Sequence, residues 1–153
     1  MGASALQSVI VAYLVIQIGK FIDNDAYFVL TGESGVHIDH RNNLAIAIYD
    51  QAVLIPAKIL KKYADVPPLI ALEIDIEADT SEMTENGYIY KKTRKLFDFG
   101  VQKLIWVLTD AQIVIVATPE RIETVDWNTN VDIMGGNRFN IGAYLVKKGI
   151  YVA

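Results

Sequence analysis

The stretch "LIALEIDIEAD", Leu69 to Asp79, sets Glu73, Asp75 and Glu77 at every second position among apolar residues. Alternation with period two marks a β-strand. It sends the three carboxylates to one face and Ile70, Leu72, Ile74 and Ile76 to the other. The branched row suits a core. The acids, spaced roughly 7 Å apart along the strand, repel one another, so their face is either wet or opposed by something positive.

The segment that follows offers the positive group. Asn86 to Phe99 reads as a helix that ends at Gly100, a natural C-cap. Asp79, three residues ahead of Glu82, forms a capping-box pattern for an earlier start. At ~100° per residue, Ile89, Tyr90, Thr93, Leu96, Phe97 and Phe99 fall in one arc. Lys91, Arg94, Lys95 and Asp98 take the opposite side, where solvent is expected. Lys92 projects between Phe99 and Leu96, inside the arc that should face the sheet. An ammonium aimed at a core is either paired or snorkels out at the arc's edge. Glu73 and Asp75 are the obvious partners if it is paired.

Further out, Ala5–Phe21 reads as a helix, and "AYFVL" and "GVHID" as strands joined by "TGESG" in a glycine-bearing hairpin. "LAIAIYD" is another strand, and "IPAKILKKYADVPP" a short helical piece stopped by a double proline. "LIWVLT" and "IVIVAT" flank "DAQ" as a tight hairpin, "RIETVDW" adds an edge strand, and "NIGAYLVKK" a closing helix. "MGGNRF" is a turn too sparse in glycine to cradle a phosphate. The order αββββαββ(β)α describes one α/β domain over residues 1–153, built on a mixed sheet.

Composition narrows the chemistry. Of 153 residues, 52% are apolar and 21% charged, which fits a packed domain rather than a disordered chain. Cysteine is absent, so disulfides and thiolate zinc sites are excluded, and a reducing, cytoplasmic setting is expected. His37 and His40 are the only histidines and read as surface groups on the hairpin. Any metal would rest on oxygen ligands, favouring magnesium, manganese or calcium.

The net charge of −4 implies modest non-specific affinity for nucleic acid. Positive charge is nonetheless clustered, at Lys58, Lys61 and Lys62 and in "KKTRK", Lys91 to Lys95, runs that ordinarily form solvated helix faces. Met1 to Gly19 carries no charged side chain, yet its apolar run falls short of the ~20 residues a bilayer span needs and lacks signal-peptide features. A helix buried on nearly all sides is expected there, covered in part by a second subunit, so a homodimer with no membrane association is expected.

Taken together, a hairpin, a strand with a polar group at its start, a strand bearing an acid pair and a helix carrying a lysine resemble the PD-(D/E)XK nuclease superfamily. The resemblance is closest to its Uma-type branch of restriction-endonuclease-like proteins. It runs from about Gly19 to Ala117 and is carried by "PPLIALEID", "KKTRKLFDFGVQKLIWVLTD" and, beyond that span, "NIGAYL". It implies a restriction-endonuclease-like mixed β-sheet flanked by helices, and a chain that begins inside a helix longer in relatives.

Residue by residue, the resemblance makes Glu73 a metal ligand and puts Asp75 where the superfamily pattern has its lysine. Lys92 matches a lysine eight residues before the Gly-Val pair, a catalytic lysine moved onto the helix. The aspartate that opens the preceding strand aligns with Asn43, a neutral amide that binds divalent cations less strongly. Asp75 is expected to supply the missing charge, with Glu33 in reserve. The implied activity is Mg2+- or Mn2+-dependent hydrolysis of nucleic-acid phosphodiester bonds, with Lys91 and Lys95 meeting DNA phosphates. Asn43 also favours an alternative, a catalytically inactive nuclease fold kept as a binding or assembly module.

Overall fold

A computed structural model describes residues 4–38, 41–54, 63–75 and 87–152, with the Arg41 side chain excepted. Helix α1 (Ala5–Phe21) leads into strands β1 (Tyr27–His37) and β2 (Arg41–Asp50), a short helix α2 (Gln51–Leu54) and strand β3 (Ile70–Asp75). Helix α3 (Tyr88–Phe99) then precedes strands β4 (Lys103–Leu108), β5 (Ile113–Ala117) and β6 (Ile122–Asp126). A small hairpin, β7 (Val131–Met134) and β8 (Asn137–Phe139), and helix α4 (Ile141–Lys147) follow.

Six strands form one sheet in sequence order, β1-β2-β3-β4-β5-β6. All neighbours run antiparallel except β3 and β4, which are parallel over Ile70–Lys103 to Asp75–Leu108. A parallel pair needs a crossover connection, and α3 lies within it. The sheet is therefore mixed and flanked by helices, as the resemblance implied.

Alternation along the central strands builds two cores. Ile70 and Leu72 of β3, with Ile105 and Val107 of β4, meet Ile10, Leu14 and Ile18 of α1 and the hairpin and helix at the C-terminal end. Ala71 of β3, with Leu104, Trp106 and Leu108 of β4, meets Ile89 and Leu96 of α3. Glu73 shares the α3 side, so the acid face of the opening stretch is the face that α3 covers. Trp106 is fully buried in this second core.

Several expectations need correction. "AYFVL" and "GVHID" are not two strands across a hairpin loop but one strand, β1, interrupted by a bulge between Thr31 and Ser34. Helix α1 is fully buried only along Ile10, Leu14 and Ile18, while Ile16 is 59% exposed. A helix apolar on every face thus has one face on the sheet and the other open in the single chain. "MGGNRF" is a turn, but it joins two short strands, with Gly135 and Gly136 both at positive φ as a two-residue hairpin loop requires. The Asp79–Glu82 capping box, His40, Glu77 and the lysines at 58, 61 and 62 lie outside the described residues. The N-cap of α3 is Gly87, the later start.

Gly100 closes α3. Its φ is +124°, its N–H donates to the Leu96 and Phe97 carbonyls, and a Cβ would come to 2.9 Å from Pro67 Cγ. Gly100→Ala is therefore expected to lower stability by about 1–2 kcal/mol in urea denaturation. A change under about 0.5 kcal/mol, the range of neutral surface substitutions, would show that this turn relaxes.

Candidate active site

Strands β2 and β3 pair as far as Ile46–Leu72 and then part. Continuing that register would set Ala45 opposite Glu73. The Ala45 N–H instead donates to Glu73 Oε1 at 2.8 Å, so the side chain takes over where the ladder stops. Glu73 is buried in the mouth of this fork.

Lys92 reaches the fork from α3. Its Nζ lies 2.8 Å from Glu73 Oε2, and the two side chains are 10% and 12% exposed. The same Nζ donates to the Asn43 backbone carbonyl at 2.8 Å and, more weakly, to the Tyr88 hydroxyl at 3.4 Å. Lys92 thus ties β2, β3 and α3 together. Its charge also lies over the rings of Trp106 (5.8 Å) and Tyr88 (5.9 Å), which favour a cation. The lysine inside the apolar arc is paired, and the snorkelling alternative does not hold.

Burial and pairing pull on these groups in opposite directions. Burial pushes the Glu73 carboxyl above the ordinary range. The Lys92 charge and the hydrogen bonds from Lys92 and Ala45 counter this, and the nearby Glu33 charge adds to the rise. Burial also works against the Lys92 ammonium, but Glu73 more than offsets it, with help from Tyr88, and Lys92 stays protonated above the usual lysine range. Glu73 is therefore a carboxylate that depends on its cation.

The pair opens into a cavity of about 480 Å³ lined by Glu33, Asn42, Asn43, Tyr88, Lys91 and Lys95 as well as Glu73 and Lys92. Five of the expected residues converge here: Glu73, Lys92, Asn43, Lys91 and Lys95. Asp75 does not line the cavity. It lies one strand period beyond Glu73, about 7 Å away, where its carbonyl accepts from the Thr109 N–H of the strand β4 side.

Among the described residues no three acidic or histidine side chains cluster to hold a metal. The cavity wall still offers hard oxygen donors: two carboxylates, Glu33 and Glu73, and the amide oxygens of Asn42 and Asn43. An all-oxygen donor set of this kind suits hard divalent cations such as magnesium or manganese. Glu33, expected only as a reserve acid, also lines the cavity. The flanking glycines in "GESG" were the available signal, since they mark backbone able to turn left-handed.

Among solved structures, the chain is similar to a protein from Anabaena variabilis described as a "putative nuclease belonging to DUF820". The likeness has a TM-score of 0.69 at 16% identity and covers 93% of this chain and 81% of that one. It shows a shared fold. No family profile matches the chain, and no curated protein matches it. Among the described residues no helix is long and apolar enough to cross a membrane.

Proposed function

We propose that the chain is a metal-dependent nuclease of the PD-(D/E)XK type, acting on DNA and weakened by the amide at Asn43. The observation that carries this reading is the 2.8 Å ion pair of Lys92 and Glu73 at the mouth of an open cavity. A fold gains little from burying such a pair compared with an apolar filling, so its presence in a water-accessible fork argues for chemistry. The nuclease assignment of the Anabaena neighbour supports the same class.

Glu73 and Asn43 would hold Mg2+ or Mn2+, which supplies phosphate polarisation and a lowered pKa for water when bound. Lys92 can exchange its long 3.4 Å bond to Tyr88 for a phosphate oxygen or the attacking water while keeping Glu73 and the Asn43 carbonyl. It then offsets negative charge developing on the non-bridging phosphate oxygens. Lys91 and Lys95 on the cavity wall would hold the phosphates on either side.

Incubation of supercoiled plasmid with the protein and Mn2+ tests the reading. Nicking that needs the metal and disappears in Glu73→Ala is expected; equal nicking by both proteins would exclude this site. Asn43 and the engagement of both Glu73 oxygens favour a second reading, an inactive fold that binds without cleaving. Metal-independent DNA binding with no nicking would support it.

The outer face of α1, with Ile16 59% and Phe21 65% exposed, would meet a second copy in a homodimer. Sedimentation velocity at micromolar concentration is expected to give a species of twice 17.0 kDa. A single 17.0 kDa boundary would refute the dimer.

A further inference from the structure

β1 and β2 pair from Tyr27–Asp50 to Thr31–Ile46 and resume at Ser34–Leu44. Gly32 and Glu33 therefore share a single opposite residue, Ala45, the same residue whose N–H holds Glu73. Both bulge residues have left-handed backbones, with φ +81° at Gly32 and +60° at Glu33. Glycine accepts that conformation freely, whereas a side chain with a Cβ is crowded in it. A glycine would suit position 33 better on backbone grounds alone.

The bulge gives Glu33 a particular outlook. It turns this exposed residue of an edge strand onto the wall of the cavity that holds Glu73, Asn43 and Lys92. There its charge acts on Glu73 unfavourably, as a like charge. Position 33 thus combines a strained backbone with like-charge repulsion. Bulges of this kind re-aim side chains next to functional sites.

We propose that Glu33 is the second carboxylate of this site, making the divalent-cation contact for which Asn43 offers only a neutral amide. The proposal rests on the reading of the cavity as a metal-dependent site. It moves the second acid from the start of β2, where the resemblance expects it, to the bulge of β1 on the other side of Ala45. A cation held between Glu33 and Glu73 would turn their repulsion into attraction, with Lys92 still paired to the second Glu73 oxygen.

Calorimetric titration of Mn2+ into the parent protein, Glu33→Gln and Glu33→Gly tests it. Both variants are expected to bind Mn2+ at least tenfold more weakly than the parent. Glu33→Gly should also melt at the same or a higher temperature without metal, because glycine relieves the backbone. Parent-like Mn2+ affinity in both variants overturns the proposal and leaves the nuclease reading standing. Should the parent bind too weakly to measure, the same comparison in Asn43→Asp decides: a tenfold loss supports Glu33 and an unchanged affinity overturns it. No Mn2+ binding in any form overturns it together with the metal-dependent reading. Mn2+ binding that depends on Glu33, with no cleavage of plasmid by any form, upholds Glu33 and rejects the nuclease reading.

Discussion

Lys92→Met is expected to destabilise the protein by about 3 kcal/mol at neutral pH, because it strands a buried carboxylate. Glu73 would keep the Ala45 N–H but lose the ammonium at 2.8 Å and face burial without a cation. Lys91, exposed one residue away, provides the control, and Lys91→Met should stay within about 0.5 kcal/mol. The penalty should depend on pH with a defined sign. Burial already holds the Glu73 carboxyl above its ordinary value, and removing Lys92 raises it further. A raised carboxyl pKa means that the folded state takes up a proton more readily than the unfolded chain, where glutamate titrates near ~4.3. Stability of the variant therefore rises as pH falls through the raised folded pKa, and the penalty fades toward the unfolded value. Urea denaturation of both variants between pH 4 and pH 8, taken here as about the range that spans ordinary and raised carboxyl values, measures this. Equal, small effects of Lys92→Met and Lys91→Met at every pH would show that the ion pair contributes nothing.

Asn43→Asp is expected to tighten Mn2+ binding at least tenfold, equivalent to about 1.4 kcal/mol, and to raise metal-dependent cleavage of DNA. The substitution leaves the Lys92 bond intact, since Lys92 takes the Asn43 backbone carbonyl rather than its side chain. It adds a carboxylate to a wall that already carries Glu33 and Glu73. Without metal the variant should accordingly lose about 1 kcal/mol of stability and recover it when Mn2+ binds. Adding Glu73→Ala should abolish both gains. An Asn43→Asp protein that neither binds Mn2+ more tightly nor cleaves DNA would instead favour the binding module.

The site's central pair was legible because two periodicities conflicted with the charges on them. Glu73 alternates with core residues in "LEIDIE", and Lys92 interrupts the apolar arc of α3, so each needed a partner the other could be. Parallel pairing of β3 and β4 then brings α3 over that face of the sheet. Asp75 follows the same alternation as Glu73, but alternation fixes a face and not a depth. Lys92 meets the strand at Glu73, and the next position outward is beyond the cavity wall.

The bulge of β1 was not legible for a different reason. "TGESG" has the glycines that a hairpin loop needs, and a bulge with Gly32 and Glu33 left-handed draws on the same residues. Local chemistry does not distinguish a reversal of the chain from a one-residue slip. What decides is the partner strand, since β2 offers ten residues against which β1 can pair on both sides of the slip. The short strands β7 and β8, four and three residues long, are below the length at which alternation can be read. The capping box of α1 in "SALQ" was not among the expectations from sequence and is a finding of the structure. Ser4 and Gln7 exchange bonds of 3.1 and 2.9 Å, and Gln7 also reaches the Ile74 carbonyl, fixing the start of α1 against the end of β3.

Crystals of Asn43→Asp soaked in Mn2+ and measured at the manganese absorption edge would show whether the cavity beside Glu73 and Lys92 holds a metal ion. An anomalous peak is expected in the cavity between β1, β2 and β3, within coordination distance of Glu73 and next to Lys92. Bound Mn2+ elsewhere on the molecule, with Glu73 still engaged only by Lys92 and Ala45, would contradict the metal-dependent reading of the site.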